Sequence, residues 1–117
     1  MNVIVITGAS DGIGAEIARQ LASTGKASTA LVLAARDEAK LQQVAAQCQA
    51  LGAQTCVVKT DVGVQADCRK LVDQSLQRFG RIDALVNNAG ISAQALFEDV
   101  KDGDLGWYED LMRVNLW

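Results

Sequence analysis

The sequence predicts an α/β domain in which helices cover both faces of a parallel sheet, and three observations carry that expectation. Short, nearly continuous apolar runs recur along the chain. Segments of helical length, with apolar residues three and four apart, lie between them. A glycine-rich turn joins the first run to the first helical segment. Strands that are apolar without polar alternation are buried on both faces, as parallel sheets require.

In chain order, the strands are expected at Val3 to Ile6, Ala30 to Leu33, Cys56 to Val58 and Ala84 to Val86. The first helix carries the stripe Ile13, Ile17 and Leu21, the second Leu41, Val44, Cys48 and Leu51, and the third Cys68, Leu71, Val72, Leu76 and Phe79. Each stripe is expected to pack its helix onto the sheet. Gly25, Gly52 and Gly80 fall just past the three stripes, where a left-handed residue ends a helix without a Cβ penalty. Right-handed crossovers through this βα order give a doubly wound sheet with strands in the order 3-2-1-4. After Gly90 a loop holding Asp102, Gly103, Asp104 and Gly106 is expected, then helical character from Trp107 to Trp117, with the chain stopping inside that helix. A four-strand sheet of this kind leaves Ala84 to Val86 as an apolar edge, so the chain alone is expected to be marginally stable and prone to associate.

Composition narrows the function classes. Half of the 117 residues are hydrophobic and 21% are charged, as in an ordinary globular domain, and one domain spanning 1–117 is expected. A net charge of -3 provides no basic stripe to neutralise a duplex backbone, which disfavours nucleic-acid binding. The apolar run beginning at Val3 leaves no room for a secretion leader, and no run reaches the roughly 18 residues of a membrane span, so a cytoplasmic location and no membrane partner are expected. Histidine is absent, and Cys48, Cys56 and Cys68 contain no C-x-x-C pair. Zinc sites, Ser-His-Asp triads and disulfide frameworks are therefore disfavoured, and no metal site is expected.

The turn Thr7-Gly8-Ala9-Ser10-Asp11-Gly12-Ile13-Gly14 stands where the first strand becomes the first helix. A pyrophosphate is held at such a place by free backbone N–H groups and the positive end of the helix dipole. Gly8 suits the tight turn, Gly12 lets a phosphate approach the backbone, and Gly14 lets the helix pack closely on the strand. The spacing is G-x-x-x-G-x-G, and no G-K-[ST] follows, so a P-loop is excluded. A glycine-rich turn without a ligand is the alternative for these residues taken alone.

This T-G-A-S-D-G-I-G stretch resembles the cofactor motif of the short-chain dehydrogenase/reductases, T-G-x-x-x-G-x-G. The resemblance implies a Rossmann-type fold and makes Gly8, Ser10, Asp11, Gly12, Ile13 and Gly14 candidate cofactor contacts. About 20 residues further on, where an acidic side chain would grip the ribose hydroxyls of NAD, the chain has Ala34-Ala35-Arg36. An Asp at position 35 would repel a 2′-phosphate by about 4 kcal/mol at an effective dielectric near ~20, a penalty Ala35 does not carry. Arg36 can make forked hydrogen bonds to that phosphate and stack on the adenine. The resemblance likewise marks an arginine here as a sign of NADP preference. Asp37 either bonds ribose hydroxyls or caps the second helix, and the following Glu38-Ala39-Lys40-Leu41 favours the cap.

Two further stretches resemble family motifs. Asp61-Val62, after the third strand, resembles an adenine-contacting D-V pair, although Asp61 can equally cap the helix that begins near Val64. Asn87-Asn88-Ala89-Gly90 resembles the N-N-A-G stretch after the fourth strand, which implies a fold role for Asn87 and cofactor contacts at Asn88, Ala89 and Gly90. Asn115 resembles the helix asparagine of the family's Asn, Ser, Tyr and Lys tetrad, where it holds a water in the proton relay. The other catalytic parts are missing: the only tyrosine is Tyr108, with Met112 rather than lysine four positions later.

The expected function is therefore the amino-terminal half of an NADP-dependent oxidoreductase that interconverts a small-molecule carbonyl and alcohol by hydride transfer, inactive in this chain by itself and homo-oligomeric at full length. The alternative is a noncatalytic nucleotide-binding or partner-binding module.

Overall fold

A computed structural model describes residues 1–88, and in them four strands alternate with three helices: β1 (Asn2–Thr7), α1 (Gly12–Gly25), β2 (Thr29–Ala35), α2 (Glu38–Ala50), β3 (Gln54–Lys59), α3 (Gln65–Phe79) and β4 (Ala84–Asn87). A short 3-10 turn, Lys26–Ser28, links α1 to β2. The sheet has the order β3-β2-β1-β4, as the crossover argument requires, and every pair is parallel. The expected helix over Trp107–Trp117 and the site residues Ala89, Gly90 and Asn115 lie outside the described residues.

Strand side chains alternate between faces, and the core divides accordingly. Val3, Val5, Ala30, Val32, Ala34, Val58 and Leu85 pack with Leu71 and Val72 of α3 on one face. Ile6, Leu31 and Leu33 pack with Leu41, Val44, Ala45 and Cys48 of α2 and the alanines of α1 on the other. No helix among the described residues is long and apolar enough to cross a membrane.

Three expectations need correction. Of the α1 stripe, Ile17 and Leu21 do pack against the core but only at its margin, while Ile13 does not; the fully buried face is Gly14, Ala15, Ala18 and Ala22. Small side chains let the helix lie close to the strands, so the larger residues are displaced: Ile17 and Leu21 are half-buried, and Ile13 is 72% exposed at the glycine turn. Leu51, assigned to the buried stripe of α2, is the exposed residue that ends that helix. Gly25 is not a left-handed terminator, since it closes α1 with φ -91° and the positive φ of 48° falls on Lys26. Its hydrogen is needed for space, because a Cβ there would collide with the Thr29 hydroxyl. Gly80 does take the left-handed conformation at the end of α3, and Gly52, with φ 105°, is also in positive-φ backbone.

Asp83 fixes the register of β4, a role its sequence position did not reveal. Its carboxylate accepts from the Val3 N–H at 2.8 Å, and its own N–H donates to the Val3 carbonyl at 2.8 Å, so one residue grips both backbone groups of Val3. The Ile4 to Ala84 pairing follows immediately. Partial burial pushes the Asp83 carboxyl up, but the Val3 N–H and the Arg81 guanidinium together outweigh it and hold the group below the usual carboxylate range. A carboxylate with a lowered folded pKa stabilises the fold above its unfolded value, about 3.9, and that contribution is lost as pH falls through the folded value. Asp83→Asn is expected to lower unfolding free energy by about 1 kcal/mol at neutral pH. In urea titrations the gap between wild type and variant should shrink between about pH 4 and pH 2; a gap that does not change with pH contradicts the assignment.

Candidate functional site

The carboxyl ends of β1, β2 and β3 open on one side of the sheet, as they must when all strands run parallel. After Thr7 the chain turns at Gly8, whose φ is 63°, and enters α1 through Gly12, whose φ is 58°. These are left-handed conformations that a side chain resists. Between them the Ala9 N–H donates to the Ala34 carbonyl at 3.1 Å, tying the turn to the end of β2. A Cβ on Gly12 would meet nothing within 4 Å among the described residues, which leave the space above the turn open. Gly14 is the opposite case: a Cβ there would lie 2.1 Å from the Gly8 carbonyl oxygen and 2.8 Å from the Asn88 side-chain nitrogen.

Asp11 occupies the N-cap position of α1 in extended backbone, yet its side chain makes no capping bond, and no acidic residue follows in the first turn. The first N–H groups of a helix have no partner within it, so the start of α1 offers backbone donors beside the turn.

Asn88 and Thr7 brace this turn from behind. The Asn88 side chain donates to the Gly8 carbonyl at 3.2 Å, and its N–H donates to the Thr7 hydroxyl at 3.0 Å. The buried Thr7 hydroxyl also donates toward Asn87 Oδ1 at 3.3 Å and the Val86 carbonyl at 3.4 Å. β1 and β4 are thereby joined just where the glycine turn begins. Thr7 opens the T-G-x-x-x-G-x-G stretch but was not among the sequence-derived site residues; the motif marks its position without saying what its hydroxyl bonds.

A groove of about 570 Å³ runs along the strand ends, lined by Gly8, Ser10 and Asp11 from the first turn, Ala35, Arg36, Asp37 and Lys40 from the second, and Thr60 to Gly63 from the third. It brings together Gly8, Ser10, Asp11, Arg36, Asp61 and Val62 of the sequence-derived candidates. Gly12, Ile13, Gly14 and Asn88 are not part of its lining; the last two shape the turn from inside the fold.

The carboxylates of the groove are engaged. Asp37 caps α2 by accepting from the Lys40 N–H at 3.1 Å, which settles its local role. Asp61 accepts from the Gly63 N–H at 2.9 Å, within the turn ahead of α3, while Val64 holds the N-cap position without a side-chain bond. The alternative of Asp61 as side-chain cap of α3 is thus not what the turn shows. Its own N–H donates to Asp67 at 2.9 Å. Asp11 pairs with the Lys40 ammonium at 3.4 Å. The exposed guanidinium of Arg36, in contrast, has no hydrogen-bond or ion-pair partner among the described residues. Burial pushes all three cysteine thiols up, away from the thiolate form, and all three are free.

Comparison with known proteins agrees with this geometry. The family model described as short chain dehydrogenase matches residues 2–117. An 11-beta-hydroxysteroid dehydrogenase A of Sesamum indicum is 48% identical over 116 residues, which are 98% of this chain and 32% of that protein. The chain thus spans about a third of the length of this curated relative. Among solved structures, a metagenomic short-chain oxidoreductase in complex with NADP is 41% identical with a TM-score of 0.70, over 77% of this chain and 39% of that one. A short chain dehydrogenase/reductase of Burkholderia phymatum in complex with NAD is 39% identical with a TM-score of 0.67, over 73% of this chain and 29% of that one.

Proposed function

The chain belongs to the short-chain dehydrogenase/reductase family, and from that premise we propose that it forms the NADP(H)-binding portion of an oxidoreductase that interconverts a carbonyl and an alcohol on a small molecule. The observation that carries the choice of cofactor is the Arg36 guanidinium at the end of β2, without a partner among the described residues and beside Ala35, where an acidic residue would favour NAD.

The groove fits such a group on its own terms. Gly14 has no room for a methyl, Gly12 leaves open space, and the start of α1 keeps backbone donors with no competing side-chain cap. Ser10 and the Gly12 to Gly14 backbone would hold a diphosphate, Arg36 a 2′-phosphate, and Asp61 and Val62 the adenine edge. The bound nicotinamide supplies a hydride donor or acceptor to the reacting carbon. The residues of this chain bind and orient: Thr7 and Asn88 keep the Gly8 carbonyl fixed, so the turn amides need no rearrangement on binding.

Proton transfer belongs to groups these residues do not include. No Tyr-x-x-x-Lys pair occurs in the chain, and Asn115 is assigned only the part of holding a relay water. These residues alone are therefore expected to bind the cofactor without turnover.

Calorimetric titration of the full-length protein with NADP(H) and NAD(H) tests the reading. Tighter binding of the phosphorylated form is expected, by about tenfold or more for one charge-assisted contact. Equal or tighter binding of NAD(H) overturns it.

A further inference from the structure

Lys40 breaks a local rule of helix construction. With Asp37 at the N-cap, Lys40 is the third residue of α2, the position at which a glutamate or glutamine would complete a capping box. A cation in the first turn also faces the positive end of the helix dipole, which opposes it by about 0.3–1 kcal/mol. Residues that violate local preference without structural gain are found at functional sites.

The ammonium does not turn away into solvent. It reaches from the β2–α2 lip of the groove to the β1–α1 lip and pairs with Asp11, 3.4 Å away. Asp11 is equally out of place, an N-cap carboxylate that leaves its own helix uncapped. Both side chains are more than half exposed, at 52% and 72%, and such a pair contributes little to stability. It therefore has no evident structural purpose, yet it spans the groove that Arg36 also lines.

Resting on the NADP(H) reading above, we infer that Lys40 is a second specificity-determining residue for the 2′-phosphate. Asp11 holds the ammonium over the groove while it is empty. A phosphate arriving there carries more negative charge than one carboxylate and takes the ammonium over, so Lys40 passes from Asp11 to the ligand and clamps it opposite Arg36. Asp11 is then a competitor that sets how tightly the phosphorylated cofactor is held.

Binding measurements on the full-length protein test this without recourse to turnover, with NADPH, NADH and the isolated probe adenosine 2′-monophosphate as ligands. Lys40→Ala is expected to weaken NADPH and the probe about tenfold while changing NADH less than about twofold, and Lys40→Arg should retain NADPH binding. Asp11→Asn should tighten NADPH by about threefold, the scale of an exposed ion pair. Melting temperatures establish that each variant folds. An NADPH to NADH preference that Lys40→Ala leaves unaltered overturns the inference, and if Arg36→Ala still abolishes that preference the proposed function stands. If neither variant alters it, both fall.

Discussion

Gly14→Ala is expected to weaken NADPH binding by a factor on the order of 100 and to destabilise the fold by about 3 kcal/mol, the upper end for overpacking. The cause is positional. The added methyl would lie 2.1 Å from the Gly8 carbonyl oxygen, a backbone atom that cannot rotate aside as a side chain would. Either α1 must lift from β1 or the Gly8 turn must move. The first loosens the packing of Ala15, Ala18 and Ala22 against the sheet, and the second breaks the Asn88 hydrogen bond to Gly8. In both cases the backbone donors at the start of α1 leave their places relative to the turn. Thermal unfolding and NADPH titration of the variant check the two halves separately; wild-type affinity in the alanine variant would show that the turn does not hold the diphosphate.

Arg36→Ala is the second large effect. A charge-assisted bond to phosphate contributes about 1.5–3 kcal/mol, so NADPH affinity is expected to fall by about 30-fold. NADH has no 2′-phosphate and should bind as before. The variant should remain as stable as wild type, because the exposed guanidinium makes no hydrogen bond or ion pair among the described residues. Fluorescence titration with both reduced cofactors decides it. Parallel weakening of NADPH and NADH would mean that Arg36 only stacks on the adenine, a contact the two cofactors share.

The order of the sheet was legible because the strands are apolar without alternation and the intervening segments have the length of helices; right-handed crossovers then leave little choice. The face of α1 was misread for a reason internal to such patterns. Ile13, Ile17 and Leu21 form the more hydrophobic stripe, but the helix centres its contact on Ala15, Ala18 and Ala22, with Ile17 and Leu21 at the margin and Ile13 outside it, since close approach favours small volume over large apolar area. Gly25 was misjudged similarly: a glycine at the end of a helix suggests positive φ, whereas here it makes room for Thr29 and Lys26 takes the turn.

For the groove, residues carried by a motif could be found, and residues defined by a contact across the chain could not. Gly8, Ser10, Asp11, Arg36, Asp61 and Val62 line one surface although they come from three separate turns. Lys40 was given no site role from the sequence, because its partner Asp11 is 29 positions away. The bonding roles of Asp83 and of Thr7, although Thr7 opens the glycine motif, could not be read for the same reason, their partners lying about 80 residues distant in sequence. The one available signal was Lys40 at a position where a capping glutamate or glutamine is preferred.

The central claim is that the carboxyl rim of these parallel strands cradles a phosphorylated dinucleotide. A crystal structure of the full-length protein grown with NADPH tests it most directly. The account predicts diphosphate oxygens accepting from backbone N–H groups between Ser10 and Gly14, with the 2′-phosphate against Arg36. Density for the cofactor elsewhere, or turn amides directed away from it, would contradict the account.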